Sequence, residues 1–211
     1  SIKYGLVNED LTVEKDGSCI TPHAGKRILE TICEYVERLL TEAADIEAVC
    51  VSSAGIIDSG NGVVQEANPA LISGYTGTRI GDRILKQFGL PCYVENDVNC
   101  AGMAEYAAGA AKGSSSMLML TIGTGIGGAF IWDGKLWKGY GNSACEVGRM
   151  ELGNGSFEQL AATSVLVLNT AKRLGNAPEE ISGKWIFEQA QAGNEICIQE
   201  INRMCDALAK G

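Results

Sequence analysis

The sequence predicts an α/β chain of two lobes that meet near residue 100. Three observations carry that expectation. Strand-like and helix-like patterns alternate over the first half of the chain. Only helical periodicity remains from Phe157 onward. Between these parts, two strand patterns flank a glycine-rich stretch at residues 123–128. Mixed elements followed by helices suit a layered architecture in which helices cover a sheet. The expected division is a first α/β lobe over 1–100 and a second lobe, a β-hairpin and then helices, over 101–211.

Taken in order, Ile2–Val7 reads as a strand whose apolar residues alternate around Lys3 and Gly5, and Ile20 closes a second strand. Residues 25–45 are helical, with Ile28, Leu29, Ile32, Val36, Leu39, Leu40 and Ala43 on one face. Residues 48–53 form a short apolar strand, a polar turn runs through residues 58–62, and residues 63–67 form another strand. Ile80–Phe88 is helical and stops at Gly89, with Pro91 just beyond. A brief strand at 92–95 leads into an alanine-rich helix over 97–111. Strands follow at 117–122 and 129–132. Asp133 and Gly134 make a two-residue hairpin turn into residues 135–137. Residues 138–155 are a polar, glycine-rich loop, and helices cover 157–174, about 183–192 and about 194–210. The opening strand has no lead-in and the closing helix has no partner strand, as expected of an architecture truncated at both ends.

Composition narrows the function. Hydrophobic residues make up 45% of the 211 and charged residues 20%, enough for a packed core. The net charge of −9 argues against a broad nucleic-acid surface. No apolar run reaches the ~18 residues of a membrane-spanning helix. The eight cysteines contain no Cys-x-x-Cys pair and mostly sit in apolar stretches. They read as reduced core thiols of a cytoplasmic protein. With His23 the single histidine, a structural zinc site has few ligands to draw on. Glycine is the informative excess: 27 residues, ten of them between Gly123 and Gly155.

Three segments carry candidate chemistry. Gly123-Thr124-Gly125-Ile126-Gly127-Gly128 matches the dinucleotide pattern Gly-x-Gly-x-x-Gly, which requires a helix after the loop. A strand is expected there instead, so the loop reads as a phosphate-cradling hairpin or as an ordinary hairpin with glycine turns. Glu95-Asn96-Asp97-Val98-Asn99 lies where a short strand meets a long helix. A carboxylate at that junction suits a general base, while Asp and Asn are also the preferred helix caps. Glu146 and Glu158 follow the hairpin. Acidic groups that accept several hydroxyl hydrogen bonds suit a carbohydrate, although a single such residue more commonly serves as a solvated or capping group.

In this order, these segments resemble the ROK family of sugar kinases and sugar-responsive repressors. The residues that carry the likeness are 94–99, the stretch 120–128, Asp133-Gly134-Lys135-Leu136 and Glu146-Val147-Gly148. The resemblance implies a two-lobed, ribonuclease H-like fold of the actin, hexokinase and Hsp70 type. It implies ATP-dependent phosphorylation of a hexose or β-glucoside at the 6-hydroxyl, with Mg²⁺ and with Asp97 as the base. Gly55, Asn68, Asn96, Glu146 and Glu158 would hold the sugar, and Gly123, Thr124 and Gly125 the nucleotide. Many members carry a histidine where Arg149 stands, followed by a cysteine-rich zinc loop. Here residues 148–158 contain neither Cys nor His. No structural zinc is therefore expected, a pattern similar to bacterial β-glucoside kinases, and Arg149 would either anchor a carboxylate or meet substrate. The likeness further implies a cytoplasmic homodimer with no nucleic-acid or membrane partner. It places part of the first phosphate motif and the adenosine segment outside these 211 residues, so that this stretch alone would be inactive. The alternatives are a transcriptional regulator of the same family and a degenerate carbohydrate-binding relative.

Overall fold

The computed structural model describes residues 1–43 and 45–211. They form two compact units, Ser1–Cys100 and Ala101–Gly211.

In the first unit, β1 (Ile2–Val7) pairs antiparallel with β2 (Val13–Cys19). The second strand therefore lies over residues 13–19 and ends before Ile20. Its sequence, Val-Glu-Lys-Asp-Gly-Ser-Cys, is too polar to announce a strand, and its pairing with β1 holds it there. α1 (Gly25–Glu42) stops three residues short of the expected end. It buries Ile28, Cys33, Val36 and Leu39, one face of a 3.6-residue period, while Leu29, Ile32 and Leu40 pack at the edge of the same core. β3 (Val49–Ser53) runs parallel to β6 (Cys92–Asn96), with Ser53 opposite Asn96. Between them come the hairpin β4 (Ile56–Asp58) and β5 (Val63–Glu66), then α2 (Ile80–Phe88), which Gly89 ends in the left-handed conformation. Ile57, Val64, Ile80, Ile84 and Val94 form the fully buried centre.

α3 (Asp97–Ala108) crosses the boundary between the units and is shorter than the expected 97–111. In the second unit, β7 (Ser116–Ile122) and β8 (Ile126–Trp132) form an antiparallel hairpin, and β9 (Lys135–Leu136) adds a short third strand. Asp133 and Gly134 both take positive φ, as a two-residue turn between β8 and β9 demands. Gly102 of α3 lies so close to Ala129 that a Cβ there would press on the Ala129 methyl. A single 3₁₀ turn, Val147–Arg149, interrupts the long loop.

The helix expected over 157–174 is two helices, α4 (Phe157–Ala161) and α5 (Thr163–Leu174), separated by an extended Ala162. α6 (Gly183–Gln191) and α7 (Glu195–Lys210) complete the unit. α7 buries Glu200, whose Oε1 accepts from Arg173 Nη1 and Arg203 Nη1, both at 2.7 Å. A buried carboxylate is tolerated because two guanidinium groups satisfy it.

The expectation that most cysteines lie in the core needs correction. All eight are free, but just Cys33 and Cys197 are buried, and Cys50 and Cys205 are exposed. An apolar neighbour in sequence does not bury a residue when strand side chains alternate between faces, as at Val49-Cys50-Val51. Among the described residues, no helix is long and apolar enough to cross a membrane.

Candidate functional site

Parallel strands deliver the first cluster. β3 and β6 end side by side, so Ala54-Gly55 and Asp97 emerge at the carboxyl ends of neighbouring strands, where α/β sheets place ligands. Gly55 has φ +99°, and a Cβ there would collide with the Glu66 carbonyl, so no other residue fits. Its own carbonyl accepts from Asn96 Nδ2 at 3.0 Å. Asn96 Oδ1 accepts from the backbone N–H groups of Val98 (2.9 Å) and Asn99 (3.0 Å), which makes Asn96 the cap of α3.

Asp97, the first helical residue, is therefore relieved of the main capping work. Its Oδ1 accepts from Asn96 Nδ2 (3.1 Å) and from Val98 N (3.0 Å). Among the described residues its Oδ2 has no hydrogen-bond partner, and the side chain is exposed. One oxygen is anchored and the other is open at the N-terminus of α3.

Asn68 sits less tightly in this group. Its Oδ1 accepts from Ala70 N at 3.0 Å in an Asx turn. The preceding Ala67 lies within van der Waals reach of where a Gly55 side chain would be.

Behind Asp97 lies a residue that sequence reasoning gave no role. Glu95 Oε1 accepts from Asn96 N (2.8 Å) and Asn99 Nδ2 (3.1 Å), and Oε2 accepts from Ser59 Oγ (2.7 Å). The signal available was nearness in the chain, since Asn99 follows Glu95 by four positions across the strand-to-helix junction. Ser59, 36 positions earlier, carried none.

The second cluster is built from backbone. The β7–β8 ladder runs to Ile122 opposite Ile126, leaving Gly123-Thr124-Gly125 as the turn. A strand and not a helix follows, so this glycine loop is not a dinucleotide fingerprint. The first turn of α5 holds the loop from one side. Thr163 Oγ1 donates to the Ile122 carbonyl (3.4 Å), Thr163 N to Gly123 (2.9 Å), and Ser164 Oγ to Thr124 (2.5 Å). With the carbonyls thus engaged, the N–H groups of Thr124 and Gly125 have no partner among the described residues. A cavity of about 470 Å³ is lined by Ile122, Gly123, Thr124, Thr163, Ser164 and Val167. A Cβ on Gly123 would meet nothing within 4 Å. Unpaired amides beside open space form the donor set that phosphate oxygens require. Thr163 and Ser164 were invisible to sequence reasoning, because they fall inside what reads as one continuous helix.

Of the two candidate carboxylates, Glu158 lies beside this turn. Glu158 Oε2 accepts from Ile126 N at 3.3 Å and sits where side chains on Gly125 or Gly148 would have to go. Glu146 pairs with Arg149, Nε to Oε2 at 3.5 Å. Gly148, between them, is buried, and a Cβ there would strike the Ile126 carbonyl. The first unit thus brings together Gly55, Asn96 and Asp97, with Asn68 beyond Ala67. The second brings together Gly123, Thr124, Gly125 and Glu158, with Glu146 beyond Gly148.

Comparison with known proteins gives this arrangement a lineage. An uncharacterized protein of Clostridium perfringens is 41% identical over 213 residues, which span all of this chain and 72% of that protein. The β-glucoside kinase of Klebsiella pneumoniae is 27% identical over 220 residues, again all of this chain and 72% of the enzyme. The crystal structure of a ROK family glucokinase from Streptomyces griseus, in complex with glucose and AMPPNP, superposes with a TM-score of 0.81 at 27% identity. It covers 96% of this chain and 72% of that one. The fold is accordingly the actin- and hexokinase-like one of such sugar kinases. The family model itself matches from residue 1 to residue 211, and the chain belongs to the ROK family.

Proposed function

We propose that this chain provides the sugar- and phosphate-handling residues of an ATP-dependent sugar kinase that acts on the 6-hydroxyl of a hexose or β-glucoside. The observation that carries the reading is the state of Asp97: one carboxylate oxygen fixed by Asn96 and Val98, the other open. In this reading Asp97 takes the proton of the attacking hydroxyl as its oxygen bonds to the γ-phosphorus. The bond from that phosphorus to the β–γ bridging oxygen breaks, and ADP leaves with the electron pair. Gly55, Asn68 and Asn96, with Glu146 and Glu158, hold the sugar hydroxyls. Thr124 and Gly125 offer their unpaired N–H groups to the phosphates, and Gly123 leaves the space they occupy. ATP arrives as its Mg²⁺ complex, and the ion neutralises charge on the phosphate oxygens.

The test assays the full-length polypeptide with ATP, Mg²⁺ and glucose, mannose, N-acetylglucosamine and cellobiose, with phosphorus and carbon NMR to locate the new ester. Asp97→Asn should lower kcat by about 10²–10⁴-fold while sugar affinity stays close to that of the parent. Near-normal turnover in that variant would remove Asp97 from the role of base.

A further inference from the structure

We infer that Glu95 is a positioning residue for phosphoryl transfer, acting through the first turn of α3 by hydrogen-bond geometry and not by its charge. The inference rests on the reading of Asp97 as the base. Three donors converge on the Glu95 carboxylate: Asn96 N, Asn99 Nδ2 and Ser59 Oγ. They belong to three separate pieces of structure. Asn96 is the last residue of β6 and the cap of α3, Asn99 is a buried residue in the first turn of α3, and Ser59 lies in the β4–β5 turn. Asp97 lies between the two α3-associated donors in the chain. Its anchored oxygen accepts from the same Asn96 whose backbone N–H is held by Glu95. Loss of the Glu95 carboxylate would release the Asn96 backbone and the Asn99 side chain together. The Asn96 amide that aims Asp97 would keep its contact with the Gly55 carbonyl but lose the backbone anchor behind it. A displacement of about 1 Å at a reacting group costs on the order of 10²-fold in rate.

Each donor needs an acceptor, and a glutamine can supply the same pattern. Its oxygen accepts from Asn96 N and Asn99 Nδ2, and its amide donates to Ser59 Oγ, a hydroxyl that both gives and takes. Alanine supplies none of it. The experiment measures kcat and both KM values in the full-length polypeptide for Glu95→Ala, Glu95→Gln and Ser59→Ala, with kcat expressed per sugar-binding site counted by calorimetric titration. That normalisation removes any effect of a smaller folded fraction. Glu95→Ala should lose about 30- to 100-fold in kcat with KM for ATP within twofold of the parent. Glu95→Gln should stay within about fivefold of the parent, and Ser59→Ala should fall about threefold. The inference is overturned if Glu95→Ala keeps kcat within threefold of the parent, or if Glu95→Gln is as slow as Glu95→Ala. Should Glu95→Ala not fold, Ser59→Ala decides: kcat within 1.5-fold of the parent overturns the inference, and a larger fall supports it. Asp97→Asn, run alongside, separates the two ideas, since its retained activity would sink the base assignment whatever Glu95 shows.

Discussion

At the start of α3 the polar atoms that matter belong to side chains. In the turn between β7 and β8 they belong to the backbone. Asp97 is aimed by Asn96, and Asn96 by Glu95, each through a named donor and acceptor. The glycine turn presents N–H groups that any residue would carry, and its glycines serve by what they lack. The second site depends on the volume its residues leave free, whereas the first depends on which donors and acceptors its side chains carry. The contrast separates glycines that the fold requires from one that it does not.

The largest effects should come from the glycines that backbone surrounds. A Cβ at Gly55 or Gly148 would collide with the carbonyl of Glu66 or Ile126, and at Gly55 φ is also positive. A backbone carbonyl cannot swing aside as a side chain can. Gly55→Ala and Gly148→Ala should each destabilise the protein by about 2–4 kcal/mol, as read by urea unfolding. Gly123→Ala should do the reverse in every respect. No neighbour lies within 4 Å of its Cβ position and its φ is ordinary, so stability should change by under about 1 kcal/mol. The added methyl would stand in the cavity, and KM for ATP should rise about tenfold, a loss near 1.4 kcal/mol. If Gly123→Ala unfolds the protein and leaves ATP affinity alone, the distinction between fold-required and ligand-required glycines fails.

The same contrast explains what the sequence made legible. Side-chain chemistry is written in residue identity, so Glu95-Asn96-Asp97 stood out; the capping role falls to Asn96, and one oxygen of Asp97 is left open. The supports of the glycine turn were not legible. Thr163 and Ser164 act because α4 ends at Ala161 and Ala162 is extended, yet the apolar pattern runs through that break without interruption. β8 starts three residues earlier than its strand-forming residues suggest. Gly127 and Gly128 look like loop, yet they pair with Thr121 and Leu120 in the ladder, and Cys145 packs where a Gly128 side chain would be. β4 was hidden for a related reason. Ile56 and Ile57 are both buried, so the alternation that marks a half-exposed strand is absent, and the polar turn beyond dominates the reading.

The smallest effect concerns the strand that leads to Asp97. Cys92 begins β6, and burial, with Cys50 and Cys33 nearby, pushes its thiol up to about 11. An unfolded cysteine ionises near pH 8.5. Between that pH and about 11 the unfolded chain releases a proton that the folded chain retains, so the unfolded state binds fewer protons and stability falls as pH rises. Below pH 8.5 both states are protonated and the contribution is fully present. Cys100, Cys145 and Cys197 are also raised by burial and slope the same way, so the measurement must be a difference. The urea midpoint of the parent should drop more steeply from pH 8.5 to 11 than that of Cys92→Ser, whose hydroxyl does not titrate in this range. Since Cys92 is only half-buried, the divergence should be modest. Parallel curves would show that the thiol meets solvent well enough to ionise in the native strand. The turn 123–125 has no titratable side chain of its own, so the alkaline sensitivity argued here enters through the strand that positions Asp97 and not through the glycine turn.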